Sequence, residues 1–106
     1  MKFTVKTLPR AEADIRQIFR YIHGRSRPGA AAWLNALDWT RQRLRENANS
    51  YGEADENEHF QIELKQALFR TRKGRVYRLV FTIVENEVRI LRVRGAGQAA
   101  IEPDTI

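Results

Sequence analysis

Residues 74–97, GRVYRLVFTIVENEVRILRVRGAG, alternate apolar with polar side chains on either side of Glu85-Asn86-Glu87. Alternation with a period of two predicts β-strands, and the polar break between the runs predicts the turn of a hairpin. We expect strand three over about 75–84 and strand four over about 87–94. The stretch contains five arginines: Arg75, Arg78, Arg89, Arg92 and Arg94. Because charged side chains are rarely buried without a partner, the function depends on what these arginines face.

The alternation also assigns the faces of both strands. Strand three is expected to carry Tyr77, Leu79, Phe81 and Ile83 on one face, and Val76, Arg78, Val80 and Thr82 on the other. Strand four is expected to carry Leu91 and Val93 on one face, and Ile90, Arg92 and Arg94 on the other. A further strand is predicted over about 61–71, with a turn at Lys73-Gly74, and an N-terminal strand over about 2–8.

Two amphipathic helices are predicted between the first strand and the rest of the sheet. Five apolar residues recur at the spacing of one helical face and indicate a helix over about 9–23: Ala11, Ile15, Ile18, Phe19 and Ile22. Residues 24–29 interrupt that pattern, and Pro28 suits the first turn of a second helix. Four residues share a stripe of the second helix: Trp33, Leu37, Thr40 and Leu44. We interpret Trp33 and Trp39 as packing residues rather than binding platforms.

Length and composition limit the class of protein. The chain has 106 residues, no cysteine and a formal charge of +6. This length fits a single domain over 1–106, with loop and tail from about residue 95. The absence of cysteine excludes disulfides and thiolate metal sites. The sequence shows no apolar core of a signal peptide and no run of roughly 18 apolar residues, so we expect a cytoplasmic protein without a membrane partner.

Positive charge is concentrated in the last strands. Residues 65–94 hold nine Lys and Arg but only two acids, Glu85 and Glu87. Such a concentration attracts nucleic acid or an acidic protein segment, and the alternative is a solvated face that maintains solubility. The candidate target- or nucleic-acid-binding residues are Lys65, Arg70, Arg72, Lys73, Arg75, Arg78, Arg92 and Arg94.

Arg78 is the strongest of these candidates. A charged side chain in the middle of a strand is energetically unfavourable unless it is paired or has a function. If the two helices form a hairpin that covers one face of the sheet, Arg78 lies on the uncovered face. Its guanidinium is then expected to project outward, where it could grip phosphate or stabilise charge developing on it. The alternative is an ion pair with an acid of the loop predicted over about 47–59, or with the C-terminal tail. The loop acids of interest are Glu53, Asp55, Glu56 and Glu58.

Histidines offer little further chemistry. His23 ends the first helix and His59 lies in the predicted loop, and neither has a neighbouring ligand at metal-site spacing. We therefore expect both to be surface residues and expect no metal or other cofactor. His59 would be the candidate if a general base were required.

Four segments, in this order, resemble the RelE/ParE superfamily of toxins from type II toxin–antitoxin modules: AEADIRQIFRYI (11–22), SRPGAAAWLNAL (26–37), GRVYRLVF (74–81) and VRILRVRG (88–95). Superfamily members typically show Ala-x-x-Asp-Leu-x-x-Ile, then Ser-Pro-x-x-Ala-x-x-Trp, Tyr-Arg-Val-x-Phe and Val-x-Ile-Leu-x-Val. The resemblance covers nearly all of the chain to about residue 95. It implies an α+β fold in which an N-terminal strand precedes an antiparallel two-helix hairpin packed on one face of a four-stranded, mainly antiparallel sheet.

The superfamily divides in mechanism. RelE-like members cut mRNA in the ribosome without a metal, using an arginine that matches Arg78 and a His or Tyr near the C-terminus. ParE-like members lack that set and poison DNA gyrase. Here no His follows His59 and no Tyr follows Tyr77. The resemblance therefore implies a ParE-like toxin that acts on gyrase and is neutralised by a cognate antitoxin. The alternatives are a ribosome-dependent mRNA endonuclease with Arg78 as its catalytic residue, and a degenerate, non-toxic module that binds RNA or its antitoxin.

Overall fold

The computed structural model describes residues 2–56, 62–95 and Gln98. Its elements follow the predicted order: β1 (Thr4–Thr7), α1 (Pro9–Arg25), α2 (Arg27–Asn47), a short 3₁₀ turn (Ala48–Ser50), β2 (Lys65–Phe69), β3 (Tyr77–Val84) and β4 (Glu87–Gly95). The predicted α+β class and helix-hairpin arrangement are confirmed. Residues 96, 97 and 99–106 of the predicted tail, and Glu58 and His59 of the predicted loop, lie outside the described residues.

The two helices are joined more tightly than the sequence pattern predicted. Pro9 lies in the first turn of α1, where a missing amide costs no helical hydrogen bond. Ser26 alone separates the helices, because α1 continues through Gly24 to Arg25. The Ser26 Oγ accepts a hydrogen bond from the Gly29 amide at 3.0 Å and so caps α2. A connection of one residue forces the second helix to fold back beside the first.

The four strands form one mixed sheet in the order β1-β4-β3-β2. β3 pairs antiparallel with both β2 and β4, whereas β1 runs parallel to β4 from the pair Thr4–Glu87 to the pair Thr7–Ile90. The parallel pair is possible because the helical hairpin carries the chain back before β4 is reached. β1 and β2 are therefore the edges of the sheet, and the arginine-rich strands β3 and β4 are its centre.

The helices cover one face of the sheet and form the main core with it. The predicted helical stripes are confirmed, since Trp33, Leu37 and Leu44 are almost fully buried against the sheet. The predicted inner face of β3 is confirmed as well, with Leu79 and Phe81 fully buried. The Trp33 ring lies 5.9 Å from that of Phe69 and 5.6 Å from that of Tyr77, which fixes these side chains in an aromatic cluster.

The predicted faces of β4 are wrong for Ile90 and Leu91, because the strand contains a β-bulge, whereas Val93 lies on the face opposite Arg92 and Arg94 as predicted. Val80 pairs with Arg92 whereas Phe81 pairs with Ile90, so Leu91 is the extra residue. As a result Ile90 joins Val93 in the helix-facing core, and Leu91 packs on the opposite face. A strict period of two cannot continue through an inserted residue, which is why alternation assigned these side chains to the wrong faces.

The opposite face of the sheet is partly covered by the chain itself. The connection after α2 is longer than predicted, because β2 begins at Lys65 rather than at about residue 61, and the segment that follows α2 folds across β2. The amide of Ala54 donates to the carbonyl of Leu64 at 2.8 Å, and that of Gln66 donates to the carbonyl of Gly52 at 3.0 Å. Ala54 and Leu64 pack with Val80 and Leu91 in a second, smaller apolar cluster. We call residues 51–56 the covering segment.

Candidate functional site

Arg78 is held by a carboxylate of the covering segment. Its Nη1 donates to Oε1 of Glu56 at 2.6 Å, and its Nη2 donates to Oε2 of the same residue. Nη1 also donates to Oε1 of Gln66 at 3.2 Å. The side chain of Arg78 is 16% exposed and that of Glu56 only 3%. The hydrogen bond to Glu56 raises the pKa of Arg78 above the ordinary arginine value and outweighs the opposing effect of burial.

The expectation that Arg78 projects freely from the sheet is therefore wrong. The alternative, an ion pair with an acid of the predicted loop, is confirmed and the acid is Glu56. The physical reason lies in the covering segment, since burying Ala54 against the sheet brings Glu56 over the one charge on that part of β3. A bidentate carboxylate satisfies the planar guanidinium in the same geometry that a phosphate would use.

Arg92 is also neutralised within the molecule. Its Nε and Nη2 donate to the two carboxylate oxygens of Asp14 in α1, at 2.7 and 3.0 Å. Oδ2 of Asp14 accepts a third hydrogen bond from the Val93 amide at 2.9 Å. β1 ends at Thr7 and pairs with β4 only as far as Ile90, so the Val93 amide has no acceptor in β1. Asp14 supplies that acceptor instead. The hydrogen bond to Asp14 raises the pKa of Arg92. In this structure the Arg92 guanidinium is therefore engaged within the molecule, and its role as a target-binding residue stays a prediction.

Arg94 lies beside Arg78 on the face away from the helices. The two residues are direct neighbours across β3 and β4. Burial, followed by the charge of Arg92, lowers the pKa of Arg94. Arg78, Arg94, Asp55 and Glu56 line a cavity of about 300 Å³ together with Leu68 and Val76. Two acids face two arginines there, so the cavity has no strong excess of either charge.

Lys65 has a structural contact as well. Its Nζ donates to the carbonyl of Tyr51 at 2.9 Å, which ties β2 to the covering segment. The Tyr51 ring in turn packs edge-on to Phe81, with ring centroids 6.0 Å apart. Lys65 therefore helps to hold the covering segment in place.

The four remaining candidates lie together around the β2–β3 turn. Arg70, Arg72, Lys73 and Arg75 are all exposed, and no ion pair holds any of them in the part of the chain that the structure describes. The turn closes through a hydrogen bond from the Gly74 amide to the Thr71 carbonyl at 3.1 Å. A Cβ on Gly74 would lie 2.2 Å from the Thr71 Oγ1, so a larger residue there would require the Thr71 side chain to move. These cations are the available part of the predicted basic surface.

The sequence pattern did not indicate Asp14 as the partner of Arg92, and it offered Glu56 only as one of four loop acids that could pair with Arg78. It also misjudged one tryptophan. Trp39 is 60% exposed, with the Arg43 guanidinium 4.8 Å from its ring centroid, so its interpretation as a packing residue is wrong. A signal was present, because Trp39 does not share the stripe of Trp33 and Leu37 on α2. No comparable signal links Glu56 or Asp14 to its arginine, since these partners are far apart along the chain.

His23 is exposed and packs against Phe19, with ring centroids 5.5 Å apart. Across 2–56, 62–95 and Gln98, no group of three or more His, Cys, Asp or Glu side chains could hold a metal ion. The described helices include none that is long and apolar enough to cross a bilayer.

The sequence matches a model of a known protein family. A family model described as the ParE toxin of the type II toxin–antitoxin system parDE matches residues 5–100. The chain belongs to the ParE toxin family. It is thus a toxin of the type II toxin–antitoxin class, as the resemblance of its sequence motifs implied, and this ParE family membership implies a cognate antitoxin as partner. A sequence search of curated proteins finds no match. The match begins at Val5 within β1 and extends beyond β4, so the ParE assignment includes part or all of each described strand and helix.

Proposed function

We propose that this ParE-family toxin inhibits growth by binding DNA gyrase and that its cognate antitoxin neutralises it. The family match over 5–100 supports the class of protein. The observation that favours gyrase binding over RNA cleavage is the ion pair between Arg78 and Glu56. In the nuclease alternative, Arg78 would be the group that stabilises negative charge on the reacting phosphate.

The ion pair opposes that catalytic role in two ways. The guanidinium already donates from both terminal nitrogens to one carboxylate, so a phosphate would have to displace Glu56 from a nearly dry site. The negative charge of Glu56 would also repel the phosphate before displacement. Losing a positioned catalytic group typically costs about 10²–10⁴ in rate. A binding function has no such requirement, because it can use the exposed cations of the β2–β3 turn.

The antitoxin is expected to be an acidic and partly apolar segment that folds on binding. A net charge of +6 favours an acidic partner, and Leu68 and Val76 offer exposed apolar surface at 61% and 38% exposure. These two residues line the same cavity as Arg78 and Arg94. Binding there would cover the sheet face that the helices leave open.

Supercoiling and DNA-cleavage assays with purified gyrase test the proposed target. Wild-type toxin is expected to inhibit supercoiling at micromolar concentration. Arg72→Glu should weaken inhibition about tenfold, because it reverses an exposed charge of the turn and a hydrogen bond to a charged group is worth roughly 1–3 kcal/mol. Arg16→Glu, the same change at an exposed position of α1, serves as the matched control. Absence of inhibition by micromolar wild type would remove gyrase as the target.

Two further measurements address the alternatives. Primer extension on translated message is expected to show no toxin-dependent cleavage; cleavage that disappears in Arg78→Ala would instead establish the ribosome-dependent nuclease. Growth after induction is expected to stop. Unimpaired growth would favour the third alternative, a non-toxic module that binds RNA or its antitoxin.

A further inference from the structure

Two adjoining cavities lie where the end of α1, the start of α2 and the β2–β3 turn meet. Their volumes are about 340 and 390 Å³, and both are lined by Tyr21, Arg75 and Tyr77. The larger cavity also reaches Arg25 and Lys73. We call the two together the turn pocket. It lies at the edge of the helix-covered side and adjoins the cavity around Arg78 and Arg94, with which it shares Tyr77, Gly95 and Gln98.

The turn pocket differs from the rest of the basic surface in its charge balance. Three cations line it, Arg25, Lys73 and Arg75, and none of its lining residues is a carboxylate. The cavity around Arg78, by contrast, contains two acids. Among the residues that the structure describes, no ion pair engages the three cations. Positive charges converging on a concave surface without internal neutralisation attract an anionic ligand.

The turn pocket also presents an aromatic surface. Tyr21 is 57% exposed, and the Arg25 guanidinium lies 4.8 Å from its ring centroid. Tyr77 stacks on Phe69 at 5.9 Å and meets the edge of Trp33, so the floor of the pocket is held by the core. The exposed ring of Tyr21 therefore lies between rigid aromatic packing and exposed cations.

We propose that the turn pocket binds single-stranded nucleic acid, with phosphates held by Arg25, Lys73 and Arg75 and a base stacked on Tyr21. Grooves for single strands combine cations that follow the backbone with aromatic rings on which bases stack. Arg25 already lies against the Tyr21 ring, but the ring remains 57% exposed, and an acidic peptide would satisfy the cations without using that accessible aromatic surface. The combination of three cations with an accessible aromatic ring therefore favours a nucleotide strand over a carboxylate-rich peptide.

Binding at the turn pocket goes beyond the proposed function and does not depend on it. It requires only the purified chain and an oligonucleotide, so gyrase inhibition and oligonucleotide binding can succeed or fail separately. The charge pattern of the sequence predicted Lys73 and Arg75 as basic candidates but did not join them to Tyr21 and Arg25. Tyr21 and Arg25 lie one helical turn apart at the end of α1, a spacing that brings their side chains together.

Fluorescence anisotropy with the full-length chain tests the proposal directly. The probes are a short fluorescein-labelled oligothymidylate and the matching oligouridylate, which distinguish DNA from RNA as the preferred strand. Arg25→Glu and Arg75→Glu are each expected to weaken binding tenfold or more. The slope of log affinity against log salt concentration should also become shallower by about 0.7 for each phosphate that is no longer bound. Arg43→Glu is the matched control, because Arg43 lies 4.8 Å from the exposed ring of Trp39 in a like arrangement elsewhere.

A second pair of variants isolates stacking from charge. Tyr21→Leu is expected to weaken oligonucleotide binding about fivefold or more, which is the usual effect of losing one stacked base. Trp39→Leu, the control at an exposed aromatic ring outside the turn pocket, should leave affinity within about twofold. Thermal melts followed by circular dichroism check that each variant is folded. If Tyr21→Leu lowers the melting temperature, Tyr21→Phe replaces it: this variant keeps the aromatic ring and should retain wild-type affinity within about twofold, and a loss as large as that of Tyr21→Leu would contradict stacking.

Three results would overturn the proposal. The first is no binding of either oligonucleotide by wild type at low salt. The second is an equal loss in Arg25→Glu and Arg43→Glu, which would mean that net charge alone attracts the strand. The third is displacement of the labelled strand by polyglutamate as effectively as by unlabelled oligonucleotide, which would assign the pocket to acidic peptides instead.

Discussion

The ion pair between Glu56 and Arg78 makes a strong prediction about stability. Glu56→Leu removes the carboxylate and leaves a guanidinium that is 16% exposed, with Gln66 as its remaining acceptor among the described residues. Breaking a buried pair from one side costs about 3–5 kcal/mol. Because Gln66 keeps one hydrogen bond and the neighbouring cavity admits solvent, we expect the lower end, about 3 kcal/mol. For a domain of this size that loss corresponds to a fall of about 10–20 °C in Tm.

A double-mutant cycle separates the pair from general effects of substitution. Arg78→Leu alone should be at least as destabilising as Glu56→Leu, because it leaves a carboxylate that is 3% exposed without its main partner. The double variant, in which two apolar residues replace the pair, should recover most of the loss. Urea unfolding supplies the measurement, since fluorescence of the buried Trp33 reports loss of the core.

The control cycle uses Glu87 and Arg89, a pair at 2.7 Å whose side chains are 29% and 43% exposed. Leucine substitutions there should reveal no measurable coupling, because water screens an exposed pair. A cost below about 1 kcal/mol for Glu56→Leu, with a coupling equal to that of the control pair, would refute the assignment of a strong buried ion pair. The Arg78 guanidinium would then behave as a solvated group, which could bind a target or stabilise charge on a phosphate.

Three other perturbations follow from the packing. Trp33→Ala should cost about 3–5 kcal/mol, whereas Trp39→Ala should change stability by less than about 0.5 kcal/mol, both measured by urea unfolding; equal effects would contradict the burial difference. Asp14→Ala should destabilise the protein by about 3 kcal/mol and speed hydrogen exchange at the Val93 amide. Asp14→Asn should slow exchange at that amide relative to Asp14→Ala, because its side-chain oxygen can still accept the hydrogen bond. Burial raises the pKa of Tyr77 above 10.0, so the stability from its neutral phenol is present below pH 10 and lost as pH rises through the folded value. Tyr77→Phe should therefore flatten the alkaline decline in Tm, and an unchanged pH profile would argue against it.

Local periodicity in the sequence was sufficient to predict the helices and strands and the side chains that face the core from one face of the sheet. The apolar stripes of α1 and α2 and the alternation of β3 predicted which side chains enter the core, and burial of Ile18, Trp33 and Leu79 confirms them. Periodicity succeeds there because each element presents one continuous face to a single neighbour. The same reasoning located the β2–β3 turn, whose cations remain exposed.

The partners of the arginines were beyond the reach of local patterns. Glu56 and Asp14 reach Arg78 and Arg92 only through the folded arrangement of the covering segment and α1. Their charges alone indicated that several acids were available, and nothing in the sequence distinguished which acid would pair. The basic character of the sheet was thus predictable, whereas its neutralisation on the far face was not.

The sequence by itself determined the class of fold, the order of its elements, the excess of positive charge and the family resemblance, because each of these is written in composition, spacing or short motifs. Tertiary structure alone decided the bulge at Leu91, the exposure of Trp39 and which cations remain available. The physical reason is that hydrogen bonding, burial and screening between distant residues depend on three-dimensional separation. A guanidinium in a strand has the same sequence signature whether it meets water or a carboxylate, and only packing selects between the two.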